Sequence, residues 1–300
     1  MTFALITFLF LAQTAPASPA APGIKMTIRF SAPGGLASER TEYIQADRSR
    51  TEYRSTTGRQ TRPGGAMQID YGPRMASMQR CDLGQAFDLN LDDRQYTVAP
   101  YPPLPLTREQ TKARGLTTEP RYLSDKPTLK DEITVLDTKE RKNFFGHRAR
   151  HVITTRRLIP LQGSPSQPSE SVTDGWYIDL NTQLSCDRRL PSSGHAYALI
   201  VPGNQPMERR TIVAKGKMQT GFPVEVKITT RSTMVLPDRT KKELTSIYEI
   251  QVTELEEKPL DPALFDVPPG FTKVSAIQRD PHLSLSGWAA IKQWFSNALR

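Results

Sequence analysis

Between Leu244 and Thr253 the chain alternates: Leu244, Tyr248, Ile250 and Val252 fall on one side, and Glu249, Gln251 and Thr253 on the other. Period two with one apolar side is the pattern of a half-buried antiparallel strand. The pattern recurs along most of the sequence. Ile24, Met26, Ile28 and Phe30 alternate with Lys25, Thr27 and Arg29, and strand-like runs cover 38–56, MQIDYG, MASMQRC, AFDLNLDDRQYTVAPY, EITVLDT, FFGHRARHVITTRRLI, VTDGWYIDL, AYALIVP, RRTIVAKGKM and FPVEVKITTRSTMVL. Roughly nine to twelve antiparallel strands follow, and that many favour strong curvature. The expected fold is mainly β with short helices (α+β): one large curved antiparallel sheet or open half-barrel closed by short helices.

The last strand leads into a plug. Asp261 is a helix N-cap and Pro262 suits the first helical position, so Ala263, Leu264 and Phe265 form a single turn, which Pro268, Pro269 and Gly270 terminate. Leu260, Leu264, Phe265 and Phe271 are then pressed onto the sheet as a lid over one end of the core.

The ends carry other signals. Residues 1–20 hold no charge, and the apolar run from Phe3 to Ala12 is about ten residues, against roughly 20 for a membrane-spanning helix. This is a secretory signal pattern, cleaved after Ala17 or Ala20, although no basic residue precedes the apolar run. The expectation is export to the periplasm or beyond, soluble after signal cleavage. Residues 21–275 read as one sheet domain with a Pro-rich surface insertion at 100–131, and 160–171 as a second flexible connection. Residues 276–300 read as a linker and a C-terminal amphipathic helix. On that helix Trp288, Ile291 and Phe295 share a face, with Trp294 at its flank. Two readings stand: a helix docked on its own sheet, or one that lies on an anionic membrane or enters a partner's groove.

Two cysteines in an exported chain suggest a Cys81 to Cys186 disulfide, each residue sitting at the end of a strand-like run. Two separately buried thiols are the competing reading. The net charge is +9, with basic residues concentrated at 48–62 and 139–157. Export turns the expected partner away from nucleic acid and towards lipid, an anionic membrane surface or another cell-envelope protein. Alternating Arg and Thr on a strand equally describe a solvated outer face.

The order FFGHRARHVITT, DGWYIDLNTQLS, GFPVEVKITT and IYEIQVTELEEKPLDPALFDVPPGF resembles a family of exported bacterial proteins of unknown function that share the outer-membrane lipoprotein carrier type of fold, within the periplasmic lipid- and lipoprotein-binding superfamily. The resemblance covers residues 24–274 and is most specific at Leu260–Phe265 and Pro268–Phe271. It implies a concave antiparallel sheet closed by short helices around an apolar cavity, which in the better understood relatives holds lipid. The chain departs from them in lacking a long N-terminal helix and in its Pro-rich insertion.

Covalent chemistry finds little footing. His147 and His151 have zinc-like spacing for a helix, but four residues of strand advance about 13 Å, too far to share a metal. The chain contains no nucleophile elbow, phosphate loop or dinucleotide fingerprint. The expectation is a non-enzymatic carrier or binding protein for an apolar ligand such as a lipid, acyl chain or lipid-modified peptide, without cofactor or metal. Trp176, Phe222, Phe265 and Phe271 are the candidate cavity wall, where large aromatics otherwise simply pack as core. The alternative is a cell-envelope interaction or structural protein with a filled core and no small ligand.

Overall fold

The computed structural model describes residues 22–277, except 34–35, 61–66, 104–106, 114–115, 118–121, 190–200, 203–206, 218–220 and 236–238. The signal segment 1–20 and the C-terminal helix with Trp288, Ile291, Trp294 and Phe295 lie outside the described residues.

In chain order the elements are β1 (Gly23–Ala32), β2 (Leu36–Gln45), β3 (Arg48–Gln60), β4 (Met67–Arg80), β5 (Gln85–Asn90), β6 (Gln95–Pro100), α1 (Arg108–Ala113), β7 (Leu116–Thr117), β8 (Leu129–Phe144), β9 (His147–Pro160), β10 (Ser169–Ile178), β11 (Val201–Pro202), β12 (Arg210–Lys215), β13 (Phe222–Val235), β14 (Lys241–Lys258) and β15 (Thr272–Lys273). Thirteen strands form one sheet in the order β12-β8-β9-β10-β13-β14-β1-β2-β3-β4-β5-β6-β15, while β7 and β11 pair separately. The sheet is mixed, which corrects the all-antiparallel expectation. At its two edges β12 lies parallel to β8 and β15 parallel to β6. Helix is also scarcer than expected. Beyond Pro33, the described residues place it in α1 and the 3-10 segments Ser185–Arg189 and Pro262–Phe265.

Local chemistry explains the strand boundaries. Phe145 and Gly146 both have positive φ, as a two-residue hairpin turn matched to strand twist requires, so the run read as one strand from FFG onward is split between β8 and β9. Conversely, the Gly72-Pro73 step does not break β4. Gly72 and Pro73 together stand opposite the single position between Arg54 and Thr56 on β3, a bulge on β4 that suits a proline with no N–H to donate. The β5–β6 turn forms where expected: the Asn90 side-chain oxygen accepts from the backbone N–H of Asp92 (3.1 Å) and Asp93 (2.9 Å).

Register shows that the buried side of the sheet changes. Ile24, Met26, Ile28, Val226, Ile228, Ile250 and Val252 belong to the larger core. Their face continues through Ile44, Glu42 and Arg40 on β2 to the polar positions Ser49 and Thr51 on β3. The second core, Ala76, Met78 and Leu89, lies on the other face, in line with Glu52 and Arg50. The buried side therefore crosses over at β2 and β3, where Arg40 pairs with Glu42.

A chord ties two distant strands of the sheet. Chain leaves β10 at Ile178 and reaches Cys186, bonded to Cys81 at the end of β4 with Cα atoms 5.6 Å apart. Six strand spacings separate β10 from β4 in the sheet order, about 29 Å if flat. The segment 179–186 spans at most roughly 28 Å even when fully extended, and it ends in a compact 3-10 turn. With the 5.6 Å across the bridge added, that reach is comparable to the strand separation, so the tether fixes the ends of β10 and β4 to one another across the sheet. Leu180 packs against the larger core, Leu184 is buried, and Tyr101 bonds Asp187 beside the disulfide.

Candidate functional site

The larger core lies along one face of the sheet, the inner face. One row of cross-strand partners reads Val135, Thr154, Thr173, Ile228 and Tyr248 on β8, β9, β10, β13 and β14. The next reads Val152, Gly175, Val226 and Ile250, followed by Phe30 on β1. Phe30 stacks on Tyr248 with ring centroids 6.2 Å apart. The Tyr177 ring covers Gly175, a position where any β-carbon would come within 2.8 Å of it. Burial pushes the Tyr177 hydroxyl well above the ordinary tyrosine range, so it stays neutral.

Along the strands this face becomes polar. Ser171 and Thr230 share a hydrogen bond at 3.1 Å. Thr173 is 2% exposed, and its Oγ1 has no hydrogen-bond partner among the described residues. A buried hydroxyl left that way is costly unless something bonds it. Beyond it, an open groove of about 290 Å³ is lined from the inner face by Leu158, Ser169 and Ser232, and from the outer face by Arg157, Glu170 and Arg231. Arg157 Nε donates to Glu170 at 2.6 Å, so that rim is close to neutral.

Trp176 points away from this face. It stacks on His151 at 4.7 Å and meets Phe144 at 6.0 Å, with Lys142 Nζ 4.4 Å from the Phe144 centroid. His151 Nε2 lies 2.6 Å from Asp174 Oδ1, while Nδ1 lies 3.1 Å from Thr138 Oγ1 and 3.3 Å from Glu140 Oε2. A bulge between Asp137 and Arg141 creates the arrangement, with Lys139 at positive φ. Hydrogen bonds from Arg141, then from the Lys139 backbone, hold the Asp137 carboxyl down at about 2. The chain hydroxyl, imidazole, carboxylate has the lengths of a proton relay. Thr138 Oγ1 is nevertheless spent on closing the bulge, since it also bonds the His151 carbonyl and accepts from the Glu140 N–H. His147 engages a different carboxylate, Glu257, at 2.8 Å. The two histidines belong to separate networks.

The other named residues sit elsewhere. Phe222, at the start of β13, is half-buried against the larger core. Phe271 packs with Val267 on the second core, and Phe265 is 1% exposed in the C-terminal turn. The turn forms as its sequence directs: Asp261 caps it, accepting from Ala263 N–H at 2.9 Å, with Pro262 at its start. Thus Trp176 and Phe222 both border the larger core, whereas Phe271 borders the second core and Phe265 fills the C-terminal turn.

Sequence reasoning missed the arginines beneath this turn. Arg50 Nη1 donates to Leu264 O at 3.0 Å and Nε to Glu52 at 2.6 Å. Arg80 donates to Phe265 O at 2.9 Å, pairs with Asp266, and grips Asp82 through Nε and Nη2, both at 2.9 Å. Both are buried, and Arg50 belongs to the 48–62 cluster that read as a solvated face or a docking surface. Only the pairing of Arg50 with Met78, across from β4, reveals the burial.

No family model matches the chain, and no curated protein matches it in sequence. Among solved structures it is similar to PNGF-II, at 8% identity and a TM-score of 0.29 over 93% of this chain; it spans 33% of the length of that one. It is also similar to a LolA superfamily protein from Nitrosomonas europaea, at 7% identity and a TM-score of 0.22, over 83% of this chain and 91% of that one. Likenesses of this size leave function to the chemistry of the sheet.

Proposed function

We propose that the protein is an exported, non-enzymatic binding protein for an amphiphilic apolar ligand, a lipid or acyl chain, held along the inner face of the sheet. The observation that carries this reading is the gradient on that face: packed aliphatic and aromatic side chains at one end, and at the other the Thr173 hydroxyl with its unmet hydrogen bond beside Ser171 and Thr230. An acyl chain with an ester or carboxyl head matches both ends. The Cys81–Cys186 bridge supports an oxidising compartment. A second reading, an interaction protein of the cell envelope with a filled core, is favoured by Phe265, whose space is fully occupied.

Native mass spectrometry and organic extraction of protein purified from a bacterial periplasm test the proposal. A lipid-mass adduct lost on extraction, and displaced in Thr173→Val or Ile228→Trp, is the expected result. Bare protein that also fails to bind a fluorescent fatty acid would overturn the carrier reading in favour of the second.

A further inference from the structure

Among the described residues the sheet ends on β12, and its two edges are unlike. β15 offers two residues, too few to template a strand, whereas β12 offers six, and nearly all of them are exposed. Ile212 at its centre is 65% exposed. A strand paired on one side only turns alternate N–H and C=O groups outward, ready for another chain. Proteins usually blunt such an edge with proline, a bulge or charge. β12 carries charge alone: Arg210 at one end, Lys215 and Lys217 at the other. Two carboxylates whose charge reaches this edge are already engaged, Glu132 by Lys130 at 2.6 Å and Glu208 by the Ser164 and Ser166 hydroxyls.

We infer that β12 is a strand-addition site for an extended acidic segment of another polypeptide, which would join the sheet as a further strand. Backbone hydrogen bonds supply the attachment, an apolar side chain of the partner covers Ile212, and terminal carboxylates meet Arg210 and Lys215. The same charges select against a second copy. Antiparallel pairing of two β12 strands sets Arg210 opposite Lys215 at both ends, a like-charge contact. The inference stands apart from the inner face and does not require a lipid.

The test uses fluorescence anisotropy with the full chain and three labelled peptides. One alternates valine and threonine between terminal glutamates, one replaces the glutamates with lysines, and one is the acidic peptide N-methylated at alternate residues. The acidic peptide should bind about tenfold or more tightly than the basic one, since opposed like charges select strongly. N-methylation should abolish binding, and added salt should weaken it. Arg210→Glu combined with Lys215→Glu should reverse the preference, with circular dichroism and the urea midpoint unchanged. Should that variant fail to fold, N-methylation on the unaltered protein still decides. Equal binding of all three peptides, binding of none, or a concentration-dependent dimer abolished by the double variant would each overturn the inference.

Discussion

Phe265→Ala tests whether the C-terminal turn is part of the folded core or a cover laid over it. The ring is 1% exposed, and the backbone around it is pinned from below: Arg50 bonds the carbonyl of Leu264, and Arg80 that of Phe265. Losing the burial of a phenylalanine side chain costs about 1.5–3 kcal/mol. A pinned turn cannot collapse into the space left, and a residual hole of ~80 Å³ adds about 2 kcal/mol at ~24 cal/mol per Å³. The expected loss is therefore about 3–5 kcal/mol, read as a lower urea midpoint with an unchanged slope. Phe271→Ala provides the comparison. Phe271 is only half-buried on the second core, so roughly half the loss is expected. A Phe265→Ala loss well under 1 kcal/mol, or one no larger than that of Phe271→Ala, would refute the idea that the turn is held rigidly from beneath.

Three further outcomes follow from the same contacts. Denatured, unreduced protein from an oxidising compartment should show no reactive thiol, and Cys81→Ser should cost about 4–5 kcal/mol by the chain-entropy account for a 105-residue separation; two labelled thiols would contradict the bridge. Gly175→Ala should destabilise by about 1–3 kcal/mol, because the new methyl meets the Tyr177 ring at 2.8 Å; coupling Tyr177→Leu to it should recover part of the loss in urea unfolding, and no recovery would mean the ring is not the obstacle. Hydrogen bonds from Arg80 hold the Asp82 carboxyl below its ordinary value. Asp82 therefore adds stability that is present above its unfolded value of about 3.9 and is lost as pH falls through the lower folded value. Arg80→Met should flatten that acid decline in urea midpoints measured below about pH 4, and an unchanged acid slope would show that Arg80 does not hold Asp82.

Much of this was legible in the sequence, because strand formation and capping depend on neighbours in the chain. Period two located β1, β13 and β14, and Asp261-Pro262 located the C-terminal turn, since an N-cap acts within three residues. With only two cysteines the pairing needed no choice of partner, but whether they bond or stay as two separate thiols was left to the structure. The sequence did not reveal that Gly72-Pro73 lies inside one long strand, since a bulge there is continued only because β3 pairs on both sides of it, or that Phe145-Gly146 is a turn within a run of strand-forming residues. A parallel neighbour for β8 was equally hidden, because β12 lies some eighty residues further along the chain and strand pairing leaves no local mark.

The same division explains the site. Alternation by itself determined that each strand has an apolar and a polar side, but not which side faces the interior, because that is settled by the strands on either flank. Tertiary structure alone decided that the buried side crosses over at β2 and β3, that Arg50 and Arg80 are buried under the C-terminal turn, and that Trp176 stacks outward on His151 while Thr173 turns inward. A side chain's period is a property of its own backbone, but its burial is a property of what the rest of the chain brings against it.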